Sequence, residues 1–164
     1  MKKAELIQSK IIKGDELARQ VAQWKFKSKK IVFTNGVFDL LHKGHVTYLA
    51  QAADLGDILI VGLNSDNSAR KLGKGPTRPL QDEQSRAYII ASLHLVDAVC
   101  IFDEETPAEL IKLVTPHVLV KGGDWKAEQI VGYDTVKALG GEVLSIDFIP
   151  GFSTTSIEQK IKNG

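Results

Sequence analysis

Five short apolar runs recur along the chain, at residues 31–34, 58–63, 98–102, 117–120 and 142–146. Helix-like segments lie between and after them, near 45–55, 82–95, 106–114, 127–139 and 154–162. A strand with one wet face alternates apolar and polar residues. Runs rich in Val and Ile throughout fit strands covered on both faces, as in a parallel sheet flanked by helices. Strand then helix, repeated, predicts a doubly wound α/β sheet. Right-handed crossovers then gather the loops after the strand ends on one edge, where such sheets take their ligands. A chain of 164 residues is long enough to bury one such core, and no repeat, low-complexity tract or long linker divides it.

The first strand runs into the densest chemistry, Ile31-Val32-Phe33-Thr34-Asn35-Gly36-Val37-Phe38-Asp39-Leu40-Leu41-His42-Lys43-Gly44-His45. Asn35-Gly36 breaks the strand with a turn. If Lys43 or Gly44 opens a helix, His42 and His45 lie on one side of its first turn. Free N–H groups and the positive end of the helix dipole make this a place for phosphate, and two imidazoles add donors that follow developing charge. Paired histidines are also common zinc ligands. With one Cys and no H-E-x-x-H spacing, however, no protein metal site is expected. Asp39 has the chemistry to orient a histidine, cap the helix or help hold a cation, and a supporting role is favoured. Gly36 allows close backbone approach to phosphate, and Phe38 reads chiefly as packing.

Four further segments carry polar chemistry. Gly62-Leu63-Asn64-Ser65-Asp66 ends the second strand, with Ser65 or Asp66 as a helix cap. Arg70 to Leu80 holds four cations with Gly and Pro, hence a basic loop rather than a helix face, able to close over phosphates. Lys74, Arg78 and, from the helix that follows, Arg86 are the candidate phosphate clamps. In Val120-Lys121-Gly122-Gly123-Asp124-Trp125 the glycines permit approach to a flat ligand, and Trp125 either covers the site or fills the core rim. Gly151-Phe152-Ser153-Thr154-Thr155-Ser156 precedes the closing helix with more hydroxyls than one cap requires, and so doubles as a phosphate cradle.

The remainder excludes other classes. A net charge of +1 gives no pull toward nucleic acid, and no basic, aromatic-studded face is spaced for it. No stretch reaches 18 apolar residues and the N-terminus lacks a signal-peptide core, so no membrane span is expected. Cys100, in an apolar run, fits a reducing compartment, and the chain reads as cytoplasmic. Residues 1–29 read as a helical extension ahead of a domain spanning 30–164. Leu17, Val21 and Trp24 fall at helical spacing with Asp15 as cap, on a helix expected to pack outside the domain or on a partner subunit.

TNGVFDLLHKGH resembles the HxGH signature of the cytidylyltransferase-like nucleotidyltransferase superfamily. Together with VGLNSD, KGPTRP and the later SRA, VKGGDW and GFSTTS, in order, it looks most like the D-glycero-β-D-manno-heptose 1-phosphate adenylyltransferases, in their stand-alone form. The resemblance implies a Rossmann-like five-stranded parallel sheet of order 3-2-1-4-5 with helices on both faces. It implies transfer from ATP, with Mg²⁺, to the heptose phosphate, giving ADP-heptose and pyrophosphate for the lipopolysaccharide core. It assigns His42, His45, Lys74 and Arg86 to catalysis. It assigns Asn35, Gly36, Val37, Phe38, Gly44, His45, Gly122, Asp124 and Ser153 to Ser156 to the nucleotide, and Asp39, Asn64, Asp66, Lys74, Arg78 and Lys121 to the sugar phosphate. A homodimer is compatible with that family. Glycerol-phosphate cytidylyltransferases carry an Arg shortly before the S-T-T run. Here Ile146-Asp147-Phe148-Ile149-Pro150 has no basic residue. Composition and spacing leave the base open, so the rival is a cytidylyltransferase for a polyol or sugar phosphate. A non-catalytic nucleotide-binding module would have lost the phosphate-handling set, which is intact.

Overall fold

The computed structural model describes residues 2–73 and 75–163. Its centre is a five-stranded, all-parallel sheet of order β3-β2-β1-β4-β5. The strands are β1 (Ile31–Gly36), β2 (Ile58–Asn64), β3 (Ala98–Phe102), β4 (Val118–Gly122) and β5 (Glu142–Ile146). All five expected runs are strands, and β1 is central. Its register with β2 runs from Ile31 opposite Ile58 to Gly36 opposite Leu63.

Both faces of the sheet are covered. The period-2 alternation of a strand sends Ile31 and Phe33 to one side and Val32 to the other. Ile31, Phe33, Ile60 and Cys100 pack with Leu17 and Val21 of α2 (Gly14–Phe26), Ile111 of α6 (Ala108–Val114) and Val136 of α7 (Tyr133–Ala138). Val32, Leu59, Val61, Val99 and Val120 pack with Tyr48 and Leu49 of α3 (Lys43–Ala53) and Ala87 and Ile90 of α5 (Glu83–Ser92). The remaining helices are α1 (Lys3–Ser9), α4 (Asp66–Lys71) and α8 (Thr154–Asn163). Among the described residues no helix is long and apolar enough to cross a membrane.

The N-terminal segment is tied to the sheet. Leu17 is fully buried, and Ile11 bridges in parallel to Val99 at the edge of β3. Helix α2 begins at Gly14 behind Lys13, with no side-chain cap, so Asp15 lies inside the first turn and favours the helix through the dipole. The helix expected over 127–139 is broken. A single 3₁₀ turn, Ala127–Gln129, is separated from α7 by Gly132 at φ +93°. A Cβ there would lie 2.8 Å from Ile111. The glycine therefore allows both the left-handed turn and the close packing of α6.

Candidate active site

The carboxyl ends of β1 and β4, the N-terminus of α3 and the start of α8 enclose a cavity of about 740 Å³. It lies where β1 is flanked by β2 and β4, the point at which the chain's winding reverses.

His42 is the N-cap residue of α3 and His45 lies in its first turn. Their rings stack, centroids 3.9 Å apart and 21° between planes. Gly44 makes this possible, because a Cβ at 44 would lie 3.0 Å from His42 Nδ1 and 3.0 Å from the Phe152 Cβ. Burial holds the His42 imidazole below its usual pKa, so it favours the neutral ring. Its Nδ1 is buried and has no hydrogen-bond partner among the described residues. An arriving polyphosphate would favour the protonated His42 ring. Phe38 sets the His45 ring edge-on at 5.4 Å from a left-handed backbone conformation (φ +48°). A non-glycine residue held there is strained, and such strain clusters at functional sites.

The start of α8 faces the pair. Ser153 Oγ accepts from the Ser156 N–H at 3.0 Å, and Ser156 Oγ donates back to the Ser153 carbonyl at 2.9 Å. These two hydroxyls close the cap. Those of Thr154 and Thr155 have no hydrogen-bond partner among the described residues, and both residues line the cavity with Ser153. Ser156 does not line it. Lys43 Nζ stands 5.6 Å from the Phe152 ring centre, joining the two helix starts.

Of the other expected residues, Asn35, Gly36, Val37, Phe38, Asp39, Gly44, Arg78, Lys121 and Gly122 line this cavity. Asp39, 6% exposed, accepts from the Leu80 and Gln81 N–H groups at 2.8–2.9 Å and so fastens the basic loop. Arg78 pairs with Glu158 of α8 at 2.6 Å and lies 3.5 Å from Asp39. Lys74 lies outside the described residues.

Three placements depart from expectation. Arg86 is fully buried and donates to the carbonyls of Gln81, Val37 and Asn64 at 2.7–3.0 Å and to Asp66 Oδ1 at 2.7 Å. It ties together the loops after β1 and β2 and is not presented to phosphate. Asp66 is correspondingly occupied by Arg86, while Ser65 caps α4 through the Ser68 N–H. Asp124 is exposed and does not line the cavity, because the chain turns at Gly123 (φ +111°). Asn64 lines a second, adjoining cavity.

Sequence reasoning missed Tyr48, Phe148 and Phe152, which line the site. Tyr48 bonds Thr34 at 2.5 Å, and burial pushes its phenol up to about 12. A Cβ at Gly122 would lie 2.6 Å from the Phe148 ring, so the glycine is where that ring seats. Phe148 and Phe152 flank recognised segments, which was the available signal. Trp125, half-exposed, covers the rim, its Nε1–H on the Gly122 carbonyl at 3.2 Å.

The described residues contain no group of three or more His, Cys, Asp or Glu able to hold a metal ion. Asp39, the cavity's carboxylate, is engaged by the basic loop. This donor set fits a Mg²⁺ that arrives on a triphosphate and keeps its waters.

Comparison with known proteins agrees with this architecture. The "Bifunctional protein HldE" of Rhodopseudomonas palustris (strain BisA53) is 55% identical over 151 residues, covering 92% of this chain and 31% of that protein. The protein of the same name from Trichlorobacter lovleyi is 52% identical over 153 residues, covering 93% of this chain and 31% of its own length. The chain thus spans about a third of the length of the curated relatives it matches. The crystal structure of the lipopolysaccharide core biosynthesis protein from Thermoplasma volcanium GSS1 superposes with a TM-score of 0.61 at 32% identity, covering 74% of this chain and 97% of that one. The cytidylyltransferase-like family model matches residues 33–160, nearly the whole sheet and every segment that lines the cavity, and the chain belongs to that family of nucleotidyltransferases.

Proposed function

We propose that the chain transfers an adenylyl group from ATP to D-glycero-β-D-manno-heptose 1-phosphate, giving ADP-heptose and pyrophosphate for the lipopolysaccharide core. The observation that carries the reading is the convergence of the stacked His42 and His45 and the two unengaged threonine hydroxyls of α8 on one cavity. Naming of relatives as HldE, and of a solved neighbour as a lipopolysaccharide core biosynthesis protein, supports the choice of substrate.

An oxygen of the sugar phosphate attacks the α-phosphorus, the bond from that phosphorus to the bridging oxygen breaks, and pyrophosphate leaves with the electron pair. No protein nucleophile is required. The chain supplies alignment and charge stabilisation. His42 and His45 donate to the reacting phosphate, and protonation strengthens both donors as charge builds. Thr154, Thr155 and the free N–H groups of α8 hold the departing phosphates at the positive end of that helix. Asp39 positions the loop that carries Arg78. A Mg²⁺ brought in on the triphosphate would add charge neutralisation to that of these residues.

Pairing of two chains through the N-terminal helices belongs to the same reading. Leu6 and Phe26 are exposed there, and sedimentation at two concentrations tests it. A cytoplasmic location, where ATP and sugar phosphates meet, belongs to this reading as well. Pyrophosphate release, measured with each NTP crossed with heptose 1-phosphate, glycerol 3-phosphate and ribitol 5-phosphate, tests the assignment. ATP with heptose 1-phosphate is expected to be the fastest pair. Preference for CTP with a polyol phosphate would overturn it.

A further inference from the structure

A second cavity of about 430 Å³ adjoins the first and shares Asn35, Gly36, Val37, Lys121 and Trp125 with it. Its outer wall comes from elements that the histidine pair and α8 do not reach. These are Glu105, Thr106 and Pro107 after β3, and Gln129 at the end of the 3₁₀ turn with Ile130 and Val131 that follow it. The side chains of Glu105 and Gln129 have no hydrogen-bond partner among the described residues. Asn64, at the end of β2, stands nearly buried at the inner wall.

Transfer between two phosphates occurs where donor and acceptor subsites meet. His42, His45, Thr154 and Thr155 line the first cavity and not the second, so the acceptor phosphate belongs at the wall the two share, which carries the Lys121 cation and the Asn35 amide. The rest of the acceptor then extends outward. The second cavity falls in the ~300–1,000 Å³ range of small-molecule sites. Its polar groups suit hydroxyls: a carboxylate accepts from them, an amide accepts and donates, and Thr106 does both. A carboxylate there repels a second anionic group on the same ligand. The apolar faces of Pro107, Ile130 and Val131 suit the C–H surface of a carbohydrate.

We propose, building on the adenylyltransferase reading above, that this second cavity is the subsite for an uncharged polyhydroxyl body, with Glu105 and Gln129 as specificity-determining residues for its hydroxyls.

The test is steady-state kinetics of wild type, Glu105→Gln, Glu105→Ala and Gln129→Ala, with ATP and heptose 1-phosphate varied separately. It is paired with calorimetric binding of heptose 1-phosphate and of inorganic phosphate in the presence of a non-hydrolysable ATP analogue. Both residues are exposed, so folding survives, and thermal melts verify it. The expected result is a KM for the sugar phosphate raised at least tenfold in the alanine variants and less in Glu105→Gln, with the KM for ATP within twofold of wild type. Binding of inorganic phosphate should be unchanged in every variant. An unchanged sugar-phosphate KM, or a rise confined to ATP, overturns the subsite while leaving the adenylyltransferase reading intact. If the wild type does not turn over heptose 1-phosphate yet binds it in a manner lost in the alanine variants, the substrate reading falls and the subsite stands. Failure of both turnover and binding overturns the two together.

Discussion

Replacing Arg86 by Met separates two incompatible roles for that residue. The side chain is fully buried, and its guanidinium donates to three backbone carbonyls and the Asp66 carboxylate. Methionine fills much of the same volume but donates nothing. The three carbonyls, from the loops after β1 and β2 and from the approach to α5, lose their partners. Each unmet acceptor costs ~1–3 kcal/mol, and the low end applies to the two that are only partly buried. The Asp66 side chain is 24% exposed, so water recovers part of its loss and the full ~3–5 kcal/mol for breaking a buried pair does not apply. The sum is ~4 kcal/mol, a large share of the ~5–15 kcal/mol that holds a domain together. With a urea m value of ~2 kcal/mol/M, the midpoint should fall by ~2 M. Urea unfolding followed by fluorescence of Trp24 and Trp125 reads this directly. A midpoint within a few tenths molar of wild type, with turnover lost, would rule out the structural role and return Arg86 to the phosphates.

The site makes three further predictions. His45→Ala should lower turnover about 10²-fold or more without altering the melt, since one preorganised donor to developing negative charge is worth that order; near-normal turnover would exclude His45 from catalysis. Thr155→Val should weaken nucleotide binding with little change in stability, whereas Ser156→Ala should lower stability by about 1 kcal/mol through the lost cap and leave nucleotide affinity near wild type. Calorimetry beside thermal melts distinguishes them, and a reversed pattern contradicts the division of the hydroxyls. Burial holds His42 and His117 below the usual imidazole value of 6.5, and His117 Nδ1 accepts from the Ile31 N–H at 2.9 Å. The unfolded chain therefore binds more protons just below pH 6.5, so stability is full above that value and declines as pH falls through it. Urea midpoints between about pH 7.5 and 5.5 check this, and His117→Gln, which keeps an acceptor, should flatten the slope.

What the sequence made legible follows from how local each signal is. Runs buried on both faces read as strands because their apolar character is continuous, and the order of turn, histidine pair and helix in 35–45 places α3 within two residues of its observed start. From sequence Arg86 reads as a phosphate clamp because its partners, Val37 just after β1 and Asn64 at the end of β2, are distant in the chain, and a charge near a basic loop looks the same whether it faces ligand or backbone. Asp66 followed the same course, since its role depends on Arg86. The Ser153 to Ser156 row was read as cap and cradle together, and only coordinates could assign Ser153 and Ser156 to the one and leave Thr154 and Thr155 for the other. The broken helix at 127–139 turned on Gly132, whose need for left-handed φ arises from packing against Ile111. That same break shapes the wall of the second cavity, which no motif marked.

A crystal structure of the protein with a non-hydrolysable ATP analogue and Mg²⁺ tests most directly whether the histidine pair and the α8 hydroxyls hold one triphosphate. The α-phosphate is expected against His42 and His45 and the β- and γ-phosphates at Thr154 and Thr155, within a single cavity. A triphosphate bound away from either of those two groups would contradict it.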